Sequence, residues 1–447
     1  MIRKLSFFVV FVIIISCSSD SGGSDEPTTI QLVQITADNN NLISGAKDIS
    51  LNPILRFTFS SNININSFEN ALNITPSNLV EIISVVGNNS QANVQLRLQR
   101  NTNYTINLQG SIGLSGENLN MSLNILFTTI DGCNYITPSY GTSSSRRVVN
   151  LETNNGSGNF VYYSNYPIYS TEDDWQCDLE KAIVVVHGNS FNPDDYYSYM
   201  STTVQALSLS ESTILISPDF KNSSQNYLSW GSDYRKGGDS SGAANISSFE
   251  ALDIIIDRLA NKSFFPSLNE IVITGQSSGG LFTHLFSAAN KSENKYPEIN
   301  FEYIVSESQF YYYPTNERIS ESNNQLYVVQ NCNGIYNWPY GYNNDIPRYL
   351  LNTSKQIFDD NFINRNITYL LGNGVSGSDS QFNNSTCYLS VLGSSRYKRG
   401  ENMFQYINIK FPSNNHNKIV AQGIKHDGQA IYNSPEFRNL LNTLLNN

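Results

Sequence analysis

Histidine and basic side chains are scarce in this sequence. Among 447 residues there are 4 histidines, so any histidine-dependent chemistry must use one of four positions. Lysine and arginine number 27 against 38 aspartates and glutamates, which gives a formal net charge of −11. The basic residues form no cluster beyond short pairs. This charge distribution argues against nucleic acid as a partner.

The opening hydrophobic run is too short to span a bilayer comfortably. Residues 5–15 are apolar and follow Arg3 and Lys4, which predicts an export signal. Ser16 before Cys17 resembles a bacterial lipobox, in which the cysteine is lipidated and becomes the first mature residue. A plain secretory signal is the alternative. We therefore expect signal residues 1–17, a flexible linker over 18–29, and a location in the bacterial cell envelope through a lipid on Cys17, or secretion.

Cysteine is also rare, with 5 in the chain. Setting Cys17 aside leaves an even number in an exported, oxidising setting, which predicts disulfides. Of three possible connectivities we choose Cys133 with Cys177 and Cys332 with Cys387. Metal ligation is the competing interpretation, but no Cys-x-x-Cys or His-x-x-x-His spacing supports it.

The length exceeds what one hydrophobic core usually serves, which predicts two domains after the leader. Residues 30–130 are all-β in pattern, since segments 93–98 and 104–108 alternate polar and apolar residues between turn clusters. Stretches 49–60, 101–106 and 126–129 resemble bacterial Ig-like domains. The resemblance implies a small β-sandwich that acts as a spacer or binding module.

Residues 131–447 change to alternating strand and helix patterns. Buried strands are predicted at 181–188, 213–218 and 301–306. Ser247 or Ser248 is suited to cap a helix, and Ser434 followed by Pro435 predicts the start of the last helix. The alternation predicts an α/β domain whose mostly parallel sheet carries helices on both faces.

The most informative stretch is 271–281, in which an apolar β-branched run meets Gly-x-Ser-x-Gly and passes into a helical pattern. This is the strand-turn-helix context of a nucleophile elbow. Gly275 and Gly279 relieve crowding at the strained turn and leave Ser277 as the nucleophile. A Gly/Ser-rich turn without catalytic function is the alternative.

A serine hydroxyl needs a base, and the histidines differ in their suitability. His284 lies in the helix after Ser277, which carries it away from the hydroxyl, so we expect a structural role. His416 lies in a polar loop where exposure is expected. His426 follows an apparent last strand, 418–424, at the sheet edge where ligands gather. We therefore predict His426 as the base and His416 as the alternative.

The acid that orients the base is sought between the serine and the histidine in the chain. Segment 367–372 resembles a strand that carries such an acid, and Asp379 is the first carboxylate after it. We predict Asp379, with Glu401 as the alternative and a loop-capping aspartate as the non-catalytic interpretation.

The oxyanion donors are predicted from a second motif. His187 ends a strand before Gly188 and resembles the His-Gly turn of α/β hydrolases. The resemblance implies that the backbone N–H groups of Asn189 and Ser278 bind the oxyanion and that the His187 ring shapes the loop. The same family resemblance extends over nearly the whole second domain, through segments 187–189, 217–220 with Trp230, 247–253, 275–280, 331–334 with 338–341, 396–400 and 426–428.

The resemblance identifies the domain as similar to exported α/β-hydrolase-fold serine hydrolases, and implies hydrolysis without fixing a substrate. Relatives place an aspartate nearer the end of strand 367–372, where this chain has Asn373, Gly374 and Val375. We expect cleavage of a small or polymeric ester, or a related acyl bond, by Ser277, His426 and Asp379 without a cofactor. A serine peptidase and a non-catalytic adhesion lipoprotein are the alternatives.

Overall fold

The computed structural model describes residues 29–130, 137–169, 179–220, 226–241, 244–262, 264–374 and 382–445. The chain divides into two compact units, Met1–Gly132 and Cys133–Asn447. No helix in the described part of the chain is long and apolar enough to cross a membrane. Cys17, Cys133 and Cys177 lie outside the described residues, so the lipid anchor and the first disulfide stay predictions.

The first unit is built of strands around one core. Its elements are β1 (Thr29–Ile30), β2 (Leu32–Ala37), β3 (Asn40–Asn41), β4 (Ala46–Ile49), β5 (Ile54–Phe59), α1 (Ile65–Ala71), β6 (Leu72–Thr75), β7 (Val80–Asn88), β8 (Gln91–Leu98), β9 (Asn103–Leu108), β10 (Asn118–Leu119) and β11 (Leu123–Thr129). Its larger sheets have the orders β3-β2-β5-β8-β7 and β4-β11-β9-β6. Phe57 and Val94 of the first share a core with Ile106 and Phe127 of the second. The resemblance to Ig-like domains stays a prediction.

The second unit alternates strands and helices. Its strands are β12 (Arg146–Thr153), β13 (Gly156–Ser164), β14 (Lys181–Val186), β15 (Thr213–Pro218), β16 (Glu270–Gln276), β17 (Asn300–Ser306), β18 (Glu317–Ser320), β19 (Gln325–Val328), β20 (Ile367–Gly372) and β21 (His416–Ala421). Its helices are α2 (Thr142–Ser145), α3 (Pro193–Ala206), α4 (Ser248–Ala260), α5 (Ser278–Ala289), α6 (Lys355–Asn364), α7 (Cys387–Ser390), α8 (Arg396–Lys410), α9 (Gly428–Tyr432) and α10 (Pro435–Leu445).

Eight strands of this unit form one sheet in the order β12-β13-β15-β14-β16-β17-β20-β21. The β12–β13 and β13–β15 pairs are antiparallel, and the pairs from β15 to β21 are parallel. Every residue of β16 is buried. The chain turns to opposite sides of β14 when it adds β15 and then β16, so the carboxyl ends of β14 and β16 border the crevice where α/β sheets bind ligands.

Alternate residues of the central strands enter two different cores. Ile271 and Ile273 pack with helices α4 and α5, whereas Val272 between them packs with α3, α9 and α10. A strand places successive side chains on opposite faces, so both faces of the sheet must be apolar and covered. This is the mostly parallel sheet with helices on both faces that the sequence predicts.

Two helix starts follow the predicted capping chemistry. The Ser247 side chain accepts from the Phe249 N–H, and Glu250 returns a bond to the Ser247 N–H, which makes a capping box for α4. The Ser434 hydroxyl accepts from the Phe437 N–H at the start of α10, where Pro435 is the first residue. These caps satisfy backbone donors that lack partners inside the helix.

Two expectations outside the site need correction and one is confirmed. His416 is 6% exposed as the first residue of β21, not in an exposed loop, because its ring fills the space beside Phe362 and Tyr369. Segment 418–424 is not all strand, since β21 ends at Ala421. The predicted disulfide between Cys332 and Cys387 is present, with the Cα atoms 5.7 Å apart.

Candidate active site

The turn between β16 and α5 places one serine at the end of the central strand. Ser277 has φ 61° and ψ −113°, a backbone conformation that few non-glycine residues adopt. A Cβ on Gly275 would collide with the Gly279 carbonyl, and one on Gly279 would collide with the Val186 carbonyl. The two glycines therefore let the strand, the turn and the helix approach closely enough to present Ser277 at the crevice.

The Ser277 hydroxyl faces one histidine. Its Oγ lies 3.1 Å from Nε2 of His426, in the loop between β21 and α9. The next residue, Asp427, accepts a hydrogen bond from the Ala430 N–H at 2.9 Å and caps α9, which fixes the loop. Ser277 is 8% exposed, whereas the His426 side chain is 22% exposed, so the base borders solvent.

The other nitrogen of this histidine faces a glutamate that the sequence reasoning missed. Nδ1 of His426 lies 3.2 Å from Oε2 of Glu307, the first residue after β17. Glu307 is 4% exposed and has φ 44°. Serine, imidazole and carboxylate are thereby connected in one line, which is the arrangement that activates a serine hydroxyl.

The neighbouring strand makes room for this carboxylate. A Cβ on Gly372, at the end of β20, would lie 2.6 Å from Oε1 of Glu307. The Glu307 N–H donates to the Leu370 carbonyl at 3.2 Å, and the Ser277 N–H donates to the Ser306 carbonyl at 3.0 Å. These contacts join the ends of β16, β17 and β20 around the site.

A buried amide lies beside the imidazole and the carboxylate. Nε2 of Gln276 donates to Oε2 of Glu307 at 3.1 Å and lies 3.0 Å from Nδ1 of His426. Oε1 of Gln276 accepts from the Tyr196 hydroxyl at 2.5 Å. An ionised carboxylate only accepts hydrogen bonds, so it fixes the NH₂ group of Gln276 on its side. Glu307 therefore accepts an N–H from Gln276 and, in the tautomer that carries the proton on Nδ1, an N–H from His426.

Charge near the acid comes from a buried arginine. Burial lowers the pKa of Arg396 to about 10, and the nearby Glu307 carboxylate opposes this effect. The guanidinium therefore stays charged at neutral pH. The site therefore contains a positive guanidinium near the Glu307 carboxylate.

The remaining histidines have structural partners. Burial lowers the pKa of His284 to about 3 and that of His416 to about 4. His284 Nε2 accepts from the Tyr312 N–H at 3.0 Å, and His416 bonds to the Phe362 carbonyl at 2.6 Å. His187 is wholly buried, and its Nε2 accepts from the Phe220 N–H at 3.3 Å.

The predicted oxyanion donors lie on two separate elements. Ser278 is the first residue of α5, where backbone N–H groups lack partners inside the helix and the helix dipole is positive. Asn189 lies in the turn after β14, next to Gly188. A Cβ on Gly188 would lie 2.8 Å from the Tyr196 hydroxyl, so this turn packs against the residue that holds Gln276.

Of the two carboxylates considered from the sequence, Glu401 belongs to the described part of the chain. Asp379 is outside the described residues, so its role stays a prediction. Glu401 pairs with Lys418 at 2.7 Å. A signal for Glu307 was available: it is a charged residue directly after the predicted strand 301–306, and ligands gather at the carboxyl ends of such strands.

The aromatic segment 310–313 belongs mainly to the core. Tyr311, Tyr312 and Tyr313 are at most 2% exposed. Within the described residues, no group of three histidine, cysteine, aspartate or glutamate side chains could hold a metal ion.

The chain is similar in structure to several solved hydrolases. LpqC, a poly(3-hydroxybutyrate) depolymerase from Bordetella parapertussis, is 15% identical with a TM-score of 0.45, over 64% of this chain and 87% of that one. Poly(aspartic acid) hydrolase-1 from Sphingomonas sp. KT-1 is 14% identical with a TM-score of 0.45, over 68% and 99%. FphF, a fluorophosphonate-binding serine hydrolase of Staphylococcus aureus, is 13% identical with a TM-score of 0.35, over 67% and 95%. No protein-family model matches the chain, and no curated protein matches it.

Proposed function

We propose that the protein is a serine hydrolase that cleaves an ester or a related acyl bond. The observation that carries the proposal is the line formed by Ser277 Oγ, the two ring nitrogens of His426 and Glu307 Oε2, with separations of 3.1 and 3.2 Å. Ser277 is the nucleophile and His426 the base. Glu307 takes the orienting part that the sequence assigned to Asp379.

The reaction depends on both ring nitrogens of His426. With its proton on Nδ1 directed at Glu307, the ring presents a lone pair on Nε2 to the serine hydroxyl. The serine oxygen bonds to the acyl carbon while its proton passes to Nε2, and the carbonyl oxygen becomes an anion. Glu307 stabilises the imidazolium formed in this step.

The backbone N–H groups of Ser278 and Asn189 are proposed to bind the oxyanion. As the carbonyl reforms, the bond to the leaving alcohol breaks and the imidazolium returns its proton to that oxygen. Water then attacks the acyl-serine, again giving a proton to Nε2, and the serine leaves with that proton. The products are an acid and an alcohol, and the enzyme is unchanged.

A fluorophosphonate probe with peptide mapping by mass spectrometry tests the assignment. We expect one label, on Ser277, and none on the Ser277→Ala variant. Ser278→Ala is the matched control and should still be labelled, because its proposed donor is a backbone group. A folded wild-type protein that resists the probe and hydrolyses no nitrophenyl ester would be a binding protein instead, whereas cleavage of peptides over esters would indicate a peptidase.

We also propose that the protein is held in the cell envelope by a lipid on Cys17. The support is the sequence pattern of a short apolar run, Ser16 and Cys17. Mass spectrometry of the purified full-length protein should find an acylated N-terminal Cys17, and Cys17→Ala should release the protein from the membrane fraction. An unmodified N-terminus at another residue would indicate plain secretion.

A further inference from the structure

Arg235 lies beside the nucleophile, and its side chain donates to a neutral group. Its Nη1 donates to the hydroxyl of Ser278, the residue after Ser277, at 3.2 Å. Among the described residues, no carboxylate lies within ion-pair distance of this guanidinium, although the chain holds 38 acidic residues. Arg348, by contrast, pairs with Asp239 and Glu250, and the buried Arg399 donates to backbone carbonyls. A half-buried cation next to the reacting serine is thus left with a neutral hydroxyl as its partner.

The neighbours of Arg235 hold its backbone in place. The Tyr234 hydroxyl donates to the carbonyls of His187 and Gly188 at 2.8 and 3.1 Å, so the residue before Arg235 is attached to the proposed oxyanion turn. On the other side, Trp338 Nε1 donates to the Lys236 carbonyl at 2.9 Å. The guanidinium therefore extends from a fixed segment, which is what a binding group needs in order to discriminate between substrates.

The adjacent cation, Lys236, differs from Arg235 because it has a carboxylate partner. Lys236 pairs with Asp233 at 3.0 Å across one turn. Partial burial of an unpaired charge costs free energy, and the cost is recovered when an anion binds. A guanidinium matches a carboxylate with parallel N–H bonds, and such charge-assisted bonds are about twice as strong as neutral ones.

We propose that Arg235 is a specificity-determining residue that binds an anionic group, such as a carboxylate, carried by the substrate close to the scissile acyl bond. This inference rests on the proposed hydrolase function and names a substrate class for it. The anion replaces or joins Ser278 Oγ as the partner of the guanidinium while the carbonyl carbon lies against Ser277. The Arg235 guanidinium thereby supplies a positive charge for an anionic substrate on a protein whose net charge is negative.

Three esters, one neutral and two with a carboxylate at different positions, test the proposal. The neutral reference is 4-nitrophenyl propionate, mono-4-nitrophenyl succinate carries a carboxylate on the acyl side, and 4-acetoxybenzoate carries one on the alcohol side. We expect the wild type to prefer one anionic ester, and Arg235→Met to lower kcat/KM on that ester about 10- to 100-fold while changing the neutral ester less than about 3-fold. Which anionic ester responds identifies the side of the bond that Arg235 reads.

The matched control is Lys236→Met, which removes the neighbouring, already paired cation and should leave all three rates near wild type. Equal losses on the neutral and anionic esters in Arg235→Met, or no preference in the wild type, would overturn the proposal. Turnover of none of the three by a folded wild type would instead count against the hydrolase function.

Binding gives a readout that needs no turnover. Isothermal titration of monomethyl succinate and of 4-acetoxybenzoate into Ser277→Ala should show saturable binding of the preferred anion that weakens about 10-fold or more in Ser277→Ala/Arg235→Met. Unchanged binding in the double variant, or no binding of either anion to Ser277→Ala, contradicts the anion site.

Discussion

Neighbouring residues hold the Glu307 carboxylate in its place. Gly372 leaves the space that Oε1 fills, and Gln276 supplies a buried N–H to Oε2. The Arg396 guanidinium adds positive charge nearby. The space beside Gly372 and the hydrogen bond from Gln276 hold the carboxylate in one position, which is the condition for keeping Nδ1–H of His426 directed toward it.

Replacing Glu307 with glutamine should therefore damage catalysis without removing the side chain. The amide NH₂ of the variant can donate to Nδ1 and favour the tautomer whose Nε2 is already protonated. A comparable Asp→Asn change in serine proteases lowers kcat about 10⁴-fold, and we expect a loss of about 10³- to 10⁴-fold here. Single-turnover rates on a nitrophenyl ester measure it.

The comparison variants decide between the candidate acids. Glu401→Gln loses the pair with Lys418 and should retain the wild-type rate. Asp379→Asn should cost less than about 3-fold if Glu307 is the acid. Wild-type activity in Glu307→Gln together with a large loss in Asp379→Asn would identify Asp379 as the acid, as the sequence predicts.

The Tyr196 hydroxyl acts on the Glu307 carboxylate indirectly, through Gln276. It holds Gln276 at 2.5 Å, and Gln276 in turn donates to Glu307. Tyr196→Phe should lower kcat about 10-fold with little change in KM, and the loss should disappear when Glu307 is already alanine. A double-mutant cycle on kcat measures this coupling.

The neighbouring tyrosine provides the control for this cycle. Tyr197 is also buried, but its hydroxyl donates to the Ser139 carbonyl at 2.6 Å, away from the acid. Tyr197→Phe loses a buried hydrogen bond as well, so it should reduce stability without selectively reducing kcat. Equal kcat losses in the two variants would show that Tyr196 has only a structural role.

At the scale of elements, the strands and helix starts were predictable from the sequence, whereas the choice of the acid among several carboxylates was not. Strand 213–218 and the caps at Ser247 and Ser434 depend on local chemistry: continuous apolar runs, a serine before a helix, a proline at its first position. The position of Glu307 beside His426 depends instead on which strands become neighbours in the sheet. Its selection over Glu401 requires knowing that β17 lies between β16 and β20, a fact of tertiary structure.

The amino ends of the central strands carry a second group of carboxylates, opposite the active site. Burial, and then the neighbouring Glu270, raises the pKa of Glu302 on β17 to about 7. Protonated Glu302 is therefore favoured in the folded state relative to the unfolded chain. Its stabilising contribution is fully present below about pH 4.5 and is lost as the pH rises through about 7.

Urea unfolding between pH 5 and pH 8 should show this loss, which is at most about 3 kcal/mol because Glu302 is partly exposed. Glu302→Gln should reduce the pH dependence, part of which comes from Asp253, whose pKa burial raises to about 6, and should raise the stability at pH 8 above that of the wild type. Glu298→Gln, which changes an exposed glutamate of the same segment, should leave the curve unchanged. A variant Glu302→Gln that keeps the wild-type slope would assign the pH dependence to other groups.

At the scale of the whole molecule, the two units have separate cores. The core of the strand-built unit draws its residues from 30–127, and both cores that cover the eight-stranded sheet draw theirs from residue 151 onward. Ser277, His426 and Glu307, together with Gln276 and Arg235, all belong to the second unit. A unit with its own core is expected to fold as a domain.

We therefore expect a protein consisting of residues 133–447 to fold and to hydrolyse a small nitrophenyl ester with kcat/KM within about 3-fold of the full-length protein. Calorimetry of the full-length protein should resolve two transitions, one of which the shortened protein reproduces, because independent cores unfold independently. The Ser277→Ala version of the shortened protein is the blank for background hydrolysis. A loss above about 10-fold with the transition retained would mean that the first unit contributes to the site, whereas loss of the transition would mean that it contributes to folding.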